Sequence, residues 1–256
     1  MSAIYTVNNQ LEPIAFYMAT QYQIKRSKRR RNLALKIQHG ELIIQAPWHM
    51  SERTIQTFVT QKREWIERHL SRQQHQLSRL PVRQWQTGER LRWLSEPLEL
   101  VVQQASRKQV QRHGHQLIAT VTPRSLAERE PRQSIIAWYK RQAQQWLDDF
   151  FITWSTQNQQ QNQLIPNAWS VGDFRSKWGH CTRKGELKFT WKLWIAPEWV
   201  VRNVVIHELC HLQEFNHSRA FWQLVAAHSP DFEDAERWLR KHGITVLNAD
   251  FLDYHV

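Results

Sequence analysis

Glycine, cysteine and carboxylates are all scarce in this chain. Seven glycines are spread over 256 residues, and no G-x-x-x-x-G-K-[ST] run occurs. That excludes a P-loop enzyme, whose backbone cradles phosphates, but not a metal-dependent nucleotidase. Two cysteines, Cys181 and Cys210, make no disulfide framework. No segment approaches the roughly 20 apolar residues that a bilayer span needs. The first twenty residues hold no basic start followed by an apolar run, so no secretory signal is expected. The expected setting is the cytoplasm, without membrane contact. Acidic residues number 23 against 35 Lys and Arg, a net charge of +12, which favours anionic partners.

What is present argues for a folded hydrolase. Hydrophobic residues make up 41% of the chain and 14 are tryptophan, enough for a sizeable core in one domain or two lobes. The stretch His207-Glu208-Leu209-Cys210-His211 is an H-E-x-x-H motif, led by Val200, Val201, Val204, Val205 and Ile206. On a helix, positions i and i+4 share one face, so both imidazoles can grip one metal ion. Glu208 lies beside them, placed to take a proton from a water that the metal acidifies. The plain alternative is two surface histidines on an amphipathic helix. Pro197 at the helix start and the apolar lead-in argue instead for a buried helix, where such groups need a partner.

A catalytic zinc needs a third protein ligand. His217 is the best candidate, with Asn216 before it to turn the chain in the left-handed conformation and Ser218 after it to cap a helix carrying Phe221, Trp222 and Val225. Glu233 or Glu236 is the alternative. Cys210 is expected to be a small core residue, and Cys181 is a weaker ligand candidate.

The run from His207 to Leu212, then Asn216-His217-Ser218 and Phe221-Trp222, resembles the YgjP-like metallopeptidase family. Lys177-Trp178-Gly179-His180-Cys181 resembles that family's R-W-G-S-C element, with His180 where the family usually has serine. Ser229-Pro-Asp-Phe, Trp238-Leu239-Arg240, the early Arg-rich strand, Ala46-Pro47 and Trp65-Ile66 also fit. The resemblance spans about residue 20 to about residue 243. It implies a zincin-type hydrolase with one zinc ion, His207, His211 and His217 as ligands and Glu208 as general base. It leaves two substrates open. A zinc metallopeptidase is the first reading, and a nucleoside triphosphate (UTP-type) pyrophosphatase is the second. A nucleic-acid-binding protein with a non-catalytic metal site ranks third. Candidate substrate-binding residues are Arg175, Lys177, His180, Lys188 and Lys192.

The expected fold class is α+β: a mixed or antiparallel sheet lobe, then a zincin-like catalytic lobe with the H-E-x-x-H helix. The boundaries are an arm at 1–20, a β-rich lobe with one helix at 21–125, and the catalytic lobe at 126–256. Residues 21–46 read as two strands around His39-Gly40, with the basic run Lys25 to Arg31 on a solvated or phosphate-facing edge. Ser51 caps an amphipathic helix over 52–70, and 71–79 connects. Strands follow from Thr87 to Val121, with turns at Gly88, Pro97 and Gly114. Pro131 opens a helix over 131–155, and Gln157 to Gln163 is an exposed loop. Strands return over 167–195, where Leu187 to Ile195 alternates between a buried face and a basic one. The resemblance implies that this strand is the edge along which an extended substrate pairs. A last helix covers 230–241 and ends at Gly243.

Overall fold

The structure is a computed structural model. It describes residues 22–38, 41–78, 83–122, 130–157, 164–174 and 177–247. The expectations for the N-terminal arm, the His39-Gly40 turn, most of the Gln157–Gln163 loop and Arg175 fall outside those residues. The chain divides into two compact units, Met1–Leu80 and Pro81–Val256.

The first unit has three strands, one more than expected. These are β1 (Tyr22–Ser27), β2 (Ala34–Gln38) and β3 (Glu41–Pro47), in the order β1-β3-β2. β3 runs parallel to β1 and antiparallel to β2. Two of the basic residues tie this unit to itself. Arg26 donates to the Met50 carbonyl at 2.6 Å and Arg30 to Gln45 Oε1 at 2.6 Å. Ser51 accepts from Thr54 N–H at 3.2 Å and caps α1 (Glu52–Gln61). The single helix expected over 52–70 is broken at Lys62, and α2 (Arg63–Ser78) continues through the residues expected to connect. That tail has no Gly or Pro to stop it, and its Gln, Arg and Ser residues tolerate helix without showing an apolar face. Leu42, Ile44, Ile55, Val59 and Ile66 form this unit's core.

The second unit begins with a four-stranded sheet: β4 (Arg90–Trp93), β5 (Glu96–Gln104), β6 (Gln109–His113) and β7 (Gln116–Val121), ordered β4-β5-β7-β6. Pro97 lies within β5 opposite Arg92, not in a turn. The reversal is made by Leu94 and Ser95, at φ +51° and +67°, the backbone of a tight hairpin. The long helix α3 (Glu130–Gln157) follows. A second sheet contains β8 (Ala168–Gly172), β9 (Gly179–Cys181) and β10 (Glu186–Thr190), ordered β8-β10-β9. The expected strand through Ile195 stops at Thr190, and Trp191–Ile195 forms a 3-10 turn. Helices α4 (Glu198–Cys210), α5 (Arg219–His228) and α6 (Phe232–Leu247) complete the unit.

One core joins Leu98 and Leu117 of the first sheet, Ile135 and Leu147 of α3, Phe189 and Trp194, and Val205 and Leu209 of α4. For this reason the compact unit starts at Pro81, whereas the sequence reading placed a lobe boundary at 125/126. The sheet at 90–121 has its buried face covered by α3, so the two fold together. Gly243 does not end α6, which runs on to Leu247. A Cβ there would lie 3.0 Å from Trp178 Cζ2, so the glycine serves a close approach. The architecture is α+β, with small mixed sheets and, among the described residues, six α-helices and one 3-10 turn.

Candidate metal centre

Helix α4 carries polar chemistry on an apolar support. Val200, Val201, Val205, Leu209 and Cys210 are buried, and they anchor the helix while His207 and Glu208 sit at its end. Asn203 is the one other buried polar residue on it. Its Nδ2 donates to the Trp199 carbonyl at 2.9 Å and its Oδ1 accepts from Ser229, which is also buried. The helix stops at Cys210 with His211 as its cap. Leu212 N–H and Glu214 N–H return to the carbonyls of Leu209 and Cys210. Asn216 does not adopt a left-handed conformation. Among the described non-glycine residues only Trp85, Leu94 and Ser95 do. A tight Ser218 N–H to Asn216 carbonyl bond of 2.8 Å turns the chain instead. Ser218 then caps α5 by accepting from Phe221 N–H at 3.2 Å.

This turn brings His217 back onto the helix. One ring nitrogen from each of His207, His211 and His217 lies within 4.8 Å of the others, and His207 Nε2 is 3.1 Å from His217 Nε2. Nitrogens around a tetrahedral zinc stand about 3.4 Å apart, from Zn–N bonds of about 2.1 Å. The set therefore fits a metal ion without large rearrangement. His211 Nδ1 is 2.9 Å from the Glu214 carbonyl. That contact places the proton on Nδ1 and leaves Nε2 as the free donor, the usual orientation of a ligating imidazole. Burial, reinforced by the other two histidines, pushes His207 down to about 4, so it is neutral and able to ligate at pH 7. His211 is lowered mainly by burial as well. Phe221 stacks on His211 at 4.5 Å, and Trp222 lies 5.8 Å from His207 and 5.7 Å from His217. These two aromatic walls were visible in the sequence only as helix-spaced apolar residues.

Glu208 is buried and faces strand β9. A Cβ on Gly179 would stand 2.8 Å from Glu208 Cγ and 2.8 Å from Phe189 Cδ1, so only glycine lets the strand come this close. Burial pushes the carboxyl up to about 7, partly offset by the Cys181 N–H that donates to it and by the nearby Lys177 ammonium. A carboxyl with that value can both take and return a proton near neutrality. The Cys181 thiol is pushed up to about 11 by burial and then by Glu208, and its Sγ donates to the Thr182 carbonyl at 3.4 Å. Cys210 is buried and pushed up to about 12 by desolvation. Neither thiol belongs to the imidazole cluster, and neither do Glu233 and Glu236.

The expected substrate residues separate. His180 alternates with Gly179 along β9, so its side chain takes the face opposite the one that meets Glu208. There it packs edge-on to Phe174 at 5.3 Å and opposite Lys188 in the β9–β10 register. Its Nδ1 is buried without a hydrogen-bond partner, and burial, then Lys177 and Lys188, keeps it neutral. Lys177 lies over the Phe174 ring at 5.2 Å, and Lys188 pairs with Glu186 at 3.6 Å. Lys192 was expected on an exposed basic face. It is fully buried, with Nζ 3.3 Å from Asp173, because the 3-10 turn rotates it off the strand's alternation. β10 is the central strand of its sheet, so it offers no edge to a substrate. The edge beside Glu208 belongs to β9. Near the cluster, Trp222 also lines a cavity of about 520 Å³ with Phe232, Glu233, Glu236, Arg237 and Arg240.

A family model described as a YgjP-like, metallopeptidase domain matches residues 31–242. The UTP pyrophosphatase of Escherichia coli (strain K12) is 36% identical over 62 residues. That alignment covers 24% of this chain and 37% of the relative, so it spans little more than a third of that protein. No solved structure matches. No helix among the described residues is long and apolar enough to cross a membrane.

Proposed function

We propose, for a chain that belongs to the YgjP-like metallopeptidase family and is thus a metal-dependent hydrolase, that the reaction is zinc-dependent peptide hydrolysis with Glu208 as general base. The observation that carries this reading is the convergence of His207, His211 and His217 beside a buried Glu208. Three neutral imidazoles without a carboxylate suit zinc, or another transition metal, better than magnesium or calcium, which prefer oxygen ligands. The ion supplies Lewis acidity for the scissile carbonyl and acidifies the attacking water. The chain supplies the rest. Glu208 takes the water's proton and returns it to the leaving amine, a two-way role suited to a value of about 7. The Cys181 N–H holds that carboxylate in place. Trp222 and Phe221 shield the histidines on one side.

Strand β9 favours an extended substrate. Thr182 N–H bonds Glu186 and Thr190 N–H bonds Trp178, so the ladder uses Trp178, His180 and Thr182. By the alternation of antiparallel pairing, the backbone of Gly179 and Cys181 faces the open side. A peptide adding to that edge gains main-chain hydrogen bonds without side-chain selection. The adjacent cavity holds two glutamates and two arginines, a balance that gives no net attraction to a triphosphate.

The second reading is nucleoside triphosphate hydrolysis with release of pyrophosphate. Two observations favour it: the activity named for the E. coli relative, and Lys177 close enough to Glu208 to lower its pKa. In that case Lys177 and Lys188 neutralise phosphate charge. Wild type and Glu208→Gln, both zinc-loaded, decide between them. They are assayed on an unfolded, quenched-fluorescent protein substrate and on UTP with pyrophosphate detection. Cleavage of the protein by wild type alone supports the peptidase. Pyrophosphate release by wild type alone reverses the order, and equal rates in both proteins remove Glu208 as the base.

A further inference from the structure

The second unit holds another concave site that shares no residue with the imidazole cluster. A cavity of about 380 Å³ is lined from β4, α3, the 3-10 turn and α6, within the size range of small-ligand sites. Its charge has one sign. Arg83, Arg90 and Arg92 line it, and no Asp or Glu does. Arg90 and Arg92 alternate with buried Leu91 and Trp93, so both project from the open face of β4. Arg92 stands opposite Pro97, which offers no carboxylate.

The guanidinium groups are held before any ligand arrives. Arg92 Nη1 donates to the Ser95 carbonyl at 3.0 Å. Arg83 Nη1 donates to the Arg90 carbonyl at 3.0 Å, and its guanidinium lies 5.9 Å from the Trp85 ring centre. Such preorganisation lowers the cost of binding an anion.

The remaining walls are aromatic. Trp191 and Trp238 both line the cavity, and Trp238 pairs with His242 one turn further along α6 at 4.8 Å. Trp191 is only 2% exposed, yet its indole N–H finds no acceptor among the described residues. A buried donor without an acceptor is costly, and an oxygen-bearing ligand in this cavity would relieve that cost.

We propose that this cavity binds a mononucleotide-class ligand, with phosphate on the arginine side and a planar base against the tryptophans. Arginine is suited to bidentate phosphate recognition, and aromatic faces stack on any base. The net charge of +12 adds long-range attraction for such an anion. The inference does not depend on which bond the metal centre cuts.

Calorimetric titration of the zinc-loaded full chain with UMP tests it, alongside Arg90→Ala, Arg92→Ala, Trp238→Ala and His211→Ala. Arg90 and Arg92 are exposed strand residues, so their truncation should leave the thermal midpoint unchanged. Saturable binding is expected, weakened about tenfold by each arginine change, weakened by Trp238→Ala, and unaltered by His211→Ala. Inorganic phosphate should bind at least about tenfold more weakly than UMP, since it lacks the stacking ring. Absence of binding, or indifference to Arg90 and Arg92, overturns the proposal. So does loss of binding in His211→Ala, which would place the nucleotide at the imidazole cluster. Equal affinity for inorganic phosphate overturns the stacking role and with it the nucleotide class.

Discussion

Replacing Gly179 by alanine tests how closely β9 and Glu208 are matched. The added methyl would lie 2.8 Å from Glu208 Cγ and from Phe189 Cδ1, about 0.7 Å inside the 3.5–4.0 Å optimum for carbon contacts. Phe189 is fully buried in the core and cannot yield freely. The strand must therefore lift or Glu208 must move, and either stretches the hydrogen bond from Cys181 N–H. Overpacking of this kind costs about 1–3 kcal/mol. A catalytic group displaced by about 1 Å loses about a hundredfold in rate. The three histidines do not touch Gly179, so one zinc per chain should remain. Urea unfolding, metal analysis and turnover on the better substrate measure the three quantities. A variant with wild-type turnover and unchanged stability would refute the idea that this contact positions Glu208.

Other outcomes follow from the same geometry. His211→Ala should abolish stoichiometric zinc in dialysed protein, and full retention would defeat the ligand assignment. Glu208→Gln should keep zinc but slow turnover by about 10²–10⁴-fold, the range of general-base catalysis; undiminished turnover would remove its role. Stability of the metal-free protein should depend on pH through two opposed groups. His207, depressed to about 4, takes its proton in the unfolded chain first, so its stabilising contribution is lost as pH falls from about 6.5 to about 4. Glu208, raised to about 7, acts the other way and costs stability as pH rises from about 4.5 to about 7. Denaturation of metal-free Glu208→Gln should therefore fall more steeply with acid than wild type; parallel curves would contradict both shifts.

The metal helix and its turn were legible because their chemistry is local. H-E-x-x-H, His217 and the Ser218 cap lie within twelve residues, and helical spacing converts that sequence order into geometry. The strand facing Glu208 was not legible. The alternation from Leu187 to Ile195 pointed to one long edge strand, but Thr190 ends it, and β10 lies between β8 and β9. Neighbour order in a sheet is set by tertiary packing, which alternation does not encode. Lys192 shows the same limit. A lysine on a polar-looking face became a buried partner of Asp173, because a 3-10 turn changes the side-chain period. Gly243 carried a helix-stop signal, yet the contact with Trp178 lies some 65 residues away in sequence. The unit boundary was displaced for a related reason, since the cover for the 90–121 sheet comes from a helix later in the chain.

The two thiols have a consequence for how the centre responds to oxidants. Cys181 and Cys210 lie next to the histidine cluster in sequence, but both are held protonated near pH 7, with values pushed up to about 11 and about 12. Peroxide and disulfide exchange act on thiolates, so neither sulfur is primed for attack. Imidazole ligands do not oxidise as zinc-bound thiolates do. A metal held by His207, His211 and His217 is thereby uncoupled from the redox state of its surroundings, and its retention requires no reductant.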